Sequence, residues 1–171
     1  MIPFHLTVLA PTNYISIFEN VQSTPCRKEH QMLQRPFDGG WVIRLETGES
    51  VLDKIVELCE KEGIAAGSLS GIGAVTSARL GYYNQETGKY TEKDFDQELE
   101  VISLTGNISR KSDGSLFPHI HCILSDKDMS VFGGHLFQGF VGPTLEIYLF
   151  TVSGEIRRAA RPGHSLELLD L

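Results

Sequence analysis

The chain has 171 residues, 41% hydrophobic and 22% charged, with a formal charge of −7 and a pI near 5.3. That length suits one domain with a real core, and the acidic balance weighs against a dominant nucleic-acid-binding surface. Cys26, Cys59 and Cys122 are odd in number and scattered, which argues against a disulfide framework and fits a reducing, cytoplasmic setting.

Residues 1–36 read as an irregular leader that closes with the polar run Gln22 to Gln34. Met1 to Phe18 is fairly apolar, but it has no basic start and His5, Pro11 and Asn13 interrupt it. Neither a signal peptide nor a membrane span is therefore expected there. The folded domain is expected over residues 37–171. Trp41 to Leu45 reads as a strand, and Thr47-Gly48-Glu49-Ser50 as a turn into a helix. Ser50 suits the N-cap and Asp53 the first turn. Val51, Leu52, Ile55, Val56, Leu58 and Cys59 give the helix an apolar face, and Gly63 is its natural stop.

Ala65 to Val75 and Ala78 to Tyr83 read as strands. Gly71-x-Gly73 lacks the third glycine of a nucleotide-binding loop and is followed by a strand where such a fold needs a helix, so close strand packing is expected instead. Glu98 to Ile108 is a long strand, and Arg110 to Gly114 a loop. Thr144 to Val152 is apolar enough to be a central strand. About seven strands with one clear helix predict an α+β single domain, mainly an antiparallel sheet with one principal helix packed on it.

The densest chemistry lies in Phe117-Pro118-His119-Ile120-His121-Cys122-Ile123-Leu124, followed by Gly133-Gly134-His135. Alternation along a strand puts His119 and His121 on one face, with Cys122 pointing away from them. Ser125 to Met129 reads as a hairpin turn. Pairing Leu124 with Ser130 sets His121 against Gly133 and His119 against His135, so all three imidazoles share a face, and Gly133 leaves room beside His121. A slip of one residue would send His135 to the other face. Three imidazoles on a rigid hairpin suit a divalent transition metal, zinc by default, with a fourth position open to water or a small ligand. Against this stands the reading of strand histidines that are merely hydrogen-bonded.

These stretches together resemble the PPC domain, named for its occurrence in plants and prokaryotes. The resemblance rests on Glu100 to Ile108, Pro118-His119-x-His121 and Gly133-Gly134-His135-Leu136. Arg44-Leu45, Gly48-Glu49, Gly63-Ile64-x-x-Gly67 and Gly71-Ile72-Gly73-Ala74 flank them in the same order. It runs from about Gly39 to the C-terminus. It implies an α+β fold on an antiparallel sheet, a homotrimer, and metal on His119, His121 and His135 as in prokaryotic members. The family is often labelled DNA-binding through plant members that carry AT-hooks. The hook core Arg-Gly-Arg-Pro is absent here, and Ala160-Arg161-Pro162-Gly163 is a superficial echo. A cupin is the rival fold, with Gly114, His119, His121, Asp126 and Gly133 near its first motif. It would need Glu where Asp126 stands, and only His164 remains to complete its ligand set.

Two function classes follow: a metal-binding regulatory or ligand-binding module, and a metal-dependent enzyme of hydrolase or lyase type acting on a small molecule. An enzyme needs a general base, and Glu100 is the candidate, weighed against a strand-edge carboxylate paired with Arg44 or Arg79. Glu146 is a candidate to orient a histidine. DNA binding would depend on Arg157, Arg158 and Arg161, a local patch giving weak, salt-sensitive contact.

Overall fold

The computed structural model describes residues 31–161, 163 and 165–171. The readings placed on residues 1–30, and on Pro162 and His164, lie outside the described residues. In chain order the elements are β1 (Leu33–Phe37), β2 (Gly40–Glu46), α1 (Val51–Glu62), β3 (Gly67–Asn84), β4 (Lys89–Phe95), β5 (Leu99–Arg110), β6 (Leu116–Ser125), β7 (Val131–Thr151), β8 (Arg157–Ala160) and β9 (Glu167–Asp170). β1 arises from the end of the stretch read as an irregular leader, and pairs with β2 from Leu33–Arg44 to Phe37–Gly40.

This architecture corrects the α+β expectation. The chain folds as one nine-stranded sheet, and the sheet is mixed because β8 runs parallel to β5 at Arg110–Arg157. Its helix is short, 12 residues, so strands and not a helical layer dominate. The reason lies in strand length. Ala65 to Val75 and Ala78 to Tyr83 read as separate strands, whereas β3 spans both in 18 residues and β7 runs for 21 by passing through irregularities in register. Gly73 shows how. It sits at φ 152°, and a Cβ there would lie 2.3 Å from the Thr144 carbonyl oxygen. Gly71-x-Gly73 is thus a close strand crossing with a bulge, as its sequence suggests.

The long strands let the pairing close on itself. β3 pairs with β5, β5 with β6, β6 with β7, and β7 returns to β3. β2 extends the sheet from the far half of β7. Inside lie Ile43, Leu45, Leu104, Ile108, Ile120, Leu124, Leu145, Ile147 and Leu149, all almost fully buried. Helix α1 covers this core with Val51, Ile55, Leu58 and Cys59. Ser50 occupies its N-cap without a side-chain hydrogen bond, and Gly63 ends it in the left-handed conformation. Among the described residues no helix is long and apolar enough to cross a membrane.

Candidate metal centre

The hairpin β6–β7 forms, but in a register two residues away from the expected one. His121 faces His135, Cys122 faces Gly134, and Leu124 faces Phe132. His119 faces Asn107 of β5 on the other side. The loop causes the difference. Asp126 donates its N–H to the Ser130 carbonyl, and its carboxylate accepts the N–H groups of Asp128 and Ser130. That locks a five-residue connection, Asp126 to Ser130, with Ser125 opposite Val131. An even slip preserves facing, so the three imidazoles still share one face. The expected role of Gly133 beside His121 is corrected, since Gly133 faces Ile123. Gly134 is the glycine that matters, because a Cβ on it would meet the Gly81 carbonyl oxygen at 2.8 Å.

The ring centroids of His119, His121 and His135 lie 5.1 to 5.4 Å apart, and one ligand nitrogen from each falls within 4.8 Å of the others. His121 is exposed, His119 half-buried and His135 buried. Burial pushes the His119 ring down to about 4, with Arg158, His135 and His121 adding to the effect. Burial likewise pushes His135 down to about 4, aided by His121 and Arg158. Both rings are therefore neutral at physiological pH, the state a metal ligand requires. Nδ1 of His135 is buried and has no hydrogen-bond partner among the described residues. Three neutral nitrogen donors, one of them orphaned, fit a divalent ion.

Aromatic rings hold the histidines in place. Phe117 stacks on His119 at 5.9 Å, and His135 sits between Tyr90 at 5.5 Å and Phe137 at 4.7 Å. Arg158 reaches the same site from β8. It is buried, and it donates to Ser109 Oγ, the Glu167 carbonyl, Asn107 Oδ1 and His119 Nδ1 at 2.8 to 3.2 Å. Sequence reasoning missed this residue by grouping it with Arg157 and Arg161 as surface charge. Instead Arg157 pairs with Glu155 and Arg161 with Asp170, so the three arginines point to different partners.

Glu100 is not brought to the histidines. It sits opposite Ser125, five positions along β5 from Thr105, which faces His121. Glu146 lies opposite Arg44 and Ile72 and is likewise remote. Arg44 and Arg79 pair with Glu46 and Asp94. Cys122 points into the core, and burial raises its thiol to about 12.

Residues 34–153 match the sequence profile of the Plants and Prokaryotes Conserved (PCC) domain. The chain belongs to this family. No curated protein sequence matches it. Among solved structures, a metal-containing protein from Archaeoglobus fulgidus is 39% identical, with 84% of this chain and 99% of that one covered at a TM-score of 0.72. A plant- and prokaryote-conserved protein from Pyrococcus horikoshii is 32% identical over 82% and 95% of the two chains, TM-score 0.72. A candidate DNA-binding protein from Bacteroides thetaiotaomicron is 26% identical over 81% and 96%, TM-score 0.77. The PCC domain of this chain therefore carries a group of three histidines that could hold a metal, in a fold it shares with a metal-containing protein.

Proposed function

We propose that this PCC-domain protein is a metal-binding homotrimeric module, with one zinc ion held by His119, His121 and His135 and its fourth position open to a small ligand. The convergence of three nitrogen donors within 4.8 Å carries this reading. When bound, the ion would supply a Lewis acid and an open coordination site. The chain itself supplies the rest. Phe117, Tyr90 and Phe137 pack on the rings of His119 and His135, and these two neutral rings need lose no net proton to bind. Zinc is preferred because three imidazoles without a carboxylate suit a borderline-soft ion of flexible geometry. The trimer rests on the family resemblance and on an exposed apolar face. Ile72, Ile102, Tyr148 and Phe150 are each about half exposed, 48 to 59%, and project from the outward side of β3, β5 and β7. A contiguous patch of this kind favours burial against another surface.

The second reading is a metal-dependent enzyme of hydrolase or lyase type acting on a small molecule. The cleft of about 700 Å³ that opens beside His119 and His135 favours it, being of a size that suits small molecules. Glu100 as general base then has to come from a neighbouring protomer, because within one chain it lies far from the rings. DNA binding, suggested by the relative from Bacteroides thetaiotaomicron, is disfavoured by the net charge of −7 and the dispersed arginines. Buried thiols at Cys59 and Cys122 are consistent with a cytoplasmic protein.

Metal analysis of the purified chain, with molar mass by light scattering, tests the module directly. One zinc per protomer and a trimer are expected. A metal-free protein that takes up no zinc at neutral pH would refute the metal reading, and a monomer at micromolar concentration the trimer.

A further inference from the structure

The guanidinium of Arg158 is the one buried cation at the site, only 6% exposed, and it forms no ion pair with any carboxylate among the described residues. Its four hydrogen bonds go to neutral acceptors, which satisfy N–H groups, and the attraction of the unbonded Glu167 carboxylate is outweighed by the desolvation of the charge. Five N–H donors are available on a guanidinium, so one on Nη1 remains unused. The group lines the cleft beside His119 and His135.

The two acids that line the same cleft are engaged elsewhere. Glu167 accepts the Ser112 N–H and hydroxyl, and Asp113 accepts those of Ser115. Lys111 adds a second positive group, with Nζ 4.7 Å from the Phe117 ring centroid, while the Arg158 guanidinium lies 4.9 Å from the same ring. The cleft thus joins an unpaired cation to apolar walls.

Metal binding changes the arginine as well. An arginine can only donate, so Nδ1 of His119 accepts from Nη2. An ion on Nδ1 would take that lone pair, and an ion on Nε2 would leave the proton on Nδ1. Either way the contact is lost, and a Nη2–H is released in addition to the spare one on Nη1. Two adjacent N–H groups of a guanidinium match a carboxylate in bidentate fashion.

We propose that this cleft binds a small organic carboxylate with an apolar body, its carboxylate paired with Arg158, and that metal loading strengthens the pairing. The proposal deepens the metal reading and rests on it for the second half. Because the coupling is reciprocal, carboxylate also tightens metal binding.

Benzoate and its neutral counterpart benzamide, titrated calorimetrically into the full chain with and without zinc, test this. Benzoate is expected to bind zinc-loaded protein at least about tenfold more tightly than benzamide, as loss of a charged hydrogen-bonded partner would give. The margin should shrink without zinc and vanish in Arg158→Gln. Arginine side-chain ¹⁵N spectra of the unmodified chain give a second readout if that variant fails to fold: benzoate, but not benzamide, should shift the buried guanidinium signals. Equal binding of the two probes, a margin kept in folded Arg158→Gln, or unmoved guanidinium signals would overturn the carboxylate site. Should the chain take up no zinc, the metal reading fails by itself, and the benzoate margin of the metal-free protein still decides whether Arg158 pairs with a carboxylate.

Discussion

Ile120 lies between two of the proposed ligands yet faces the opposite way, fully buried at 0% exposure. Replacing it by alanine separates the stability of the hairpin from its chemistry. The substitution removes three carbons, worth roughly 2.4 kcal/mol of transfer free energy at about 0.8 kcal/mol per buried methylene. A cavity term adds to this, because β6 is held by β5 on one side and β7 on the other and has little freedom to collapse inward. A total of about 3 to 4 kcal/mol results, inside the range of roughly 2 to 5 for Ile→Ala in cores. Denaturant unfolding in excess chelator, at one fixed protomer concentration, measures it without the contribution of metal and with that of assembly held constant. The midpoint should fall with an unchanged slope. Zinc content of the folded variant should stay near one per protomer. A variant that keeps its stability, or that loses zinc while remaining folded, would refute the assignment of faces along β6.

His119→Ala, His121→Ala and His135→Ala should each remove most of the bound zinc while leaving the far-ultraviolet circular dichroism spectrum intact; retention of full stoichiometry in any of them would exclude that ring as a ligand. Inserting one residue between Val131 and His135 should abolish zinc binding by turning His135 to the other face, although all three histidines remain. For the metal-free protein the sign of the pH effect is fixed: His119 and His135 have folded values near 4 against about 6.5 unfolded, so between those limits the unfolded chain binds more protons. Stability should therefore be greatest above about pH 6.5 and be lost as pH falls toward 4, and His135→Gln should flatten the denaturant-midpoint profile in that window. A chain begun at Gln31 should fold as the full chain does, whereas one begun at Phe37 should be less stable, having lost β1 and the Met32 N–H that Glu49 accepts.

The shared face of the histidines was legible because facing has a period of two. The register expected for β6–β7 was off by two residues, the wrong partner stood opposite each histidine, and the geometry that matters was unchanged. Parity survives an even error in loop length; it would not survive an odd one. Helix α1 was legible for a similar local reason, since Val51, Ile55, Leu58 and Cys59 carry its period and Gly63 its end. The fold class was not. Nothing local says that the strand read over Ala65 to Val75 runs on to Asn84, and the close approach that demands glycine at Gly73 is made by the Thr144 carbonyl, some seventy residues away. Nor does anything local reveal that β8 adds beside β5 in parallel, which is what makes the sheet mixed.

The site divides along the same line. Its three histidines fall within one hairpin, so pattern alone could assemble them. Arg158 reaches His119 across 39 positions of sequence, from a four-residue strand too short to show alternation. In the sequence it stands next to Arg157, and two adjacent arginines in a tail read as solvated charge. The strand separates them: Arg157 is turned outward toward Glu155, and Arg158 inward to His119. Burial is what gives the inward one its consequence. A guanidinium in water needs no partner, but one enclosed by Ser109, Asn107 and the Glu167 backbone carries a charge whose desolvation outweighs the attraction of the Glu167 carboxylate. The same closure of β5, β6 and β8 that desolvates this cation also depresses His119 and keeps its ring neutral. One arrangement of strands thus brings a neutral imidazole and a buried guanidinium together in the same cleft, the pairing on which both proposals rest.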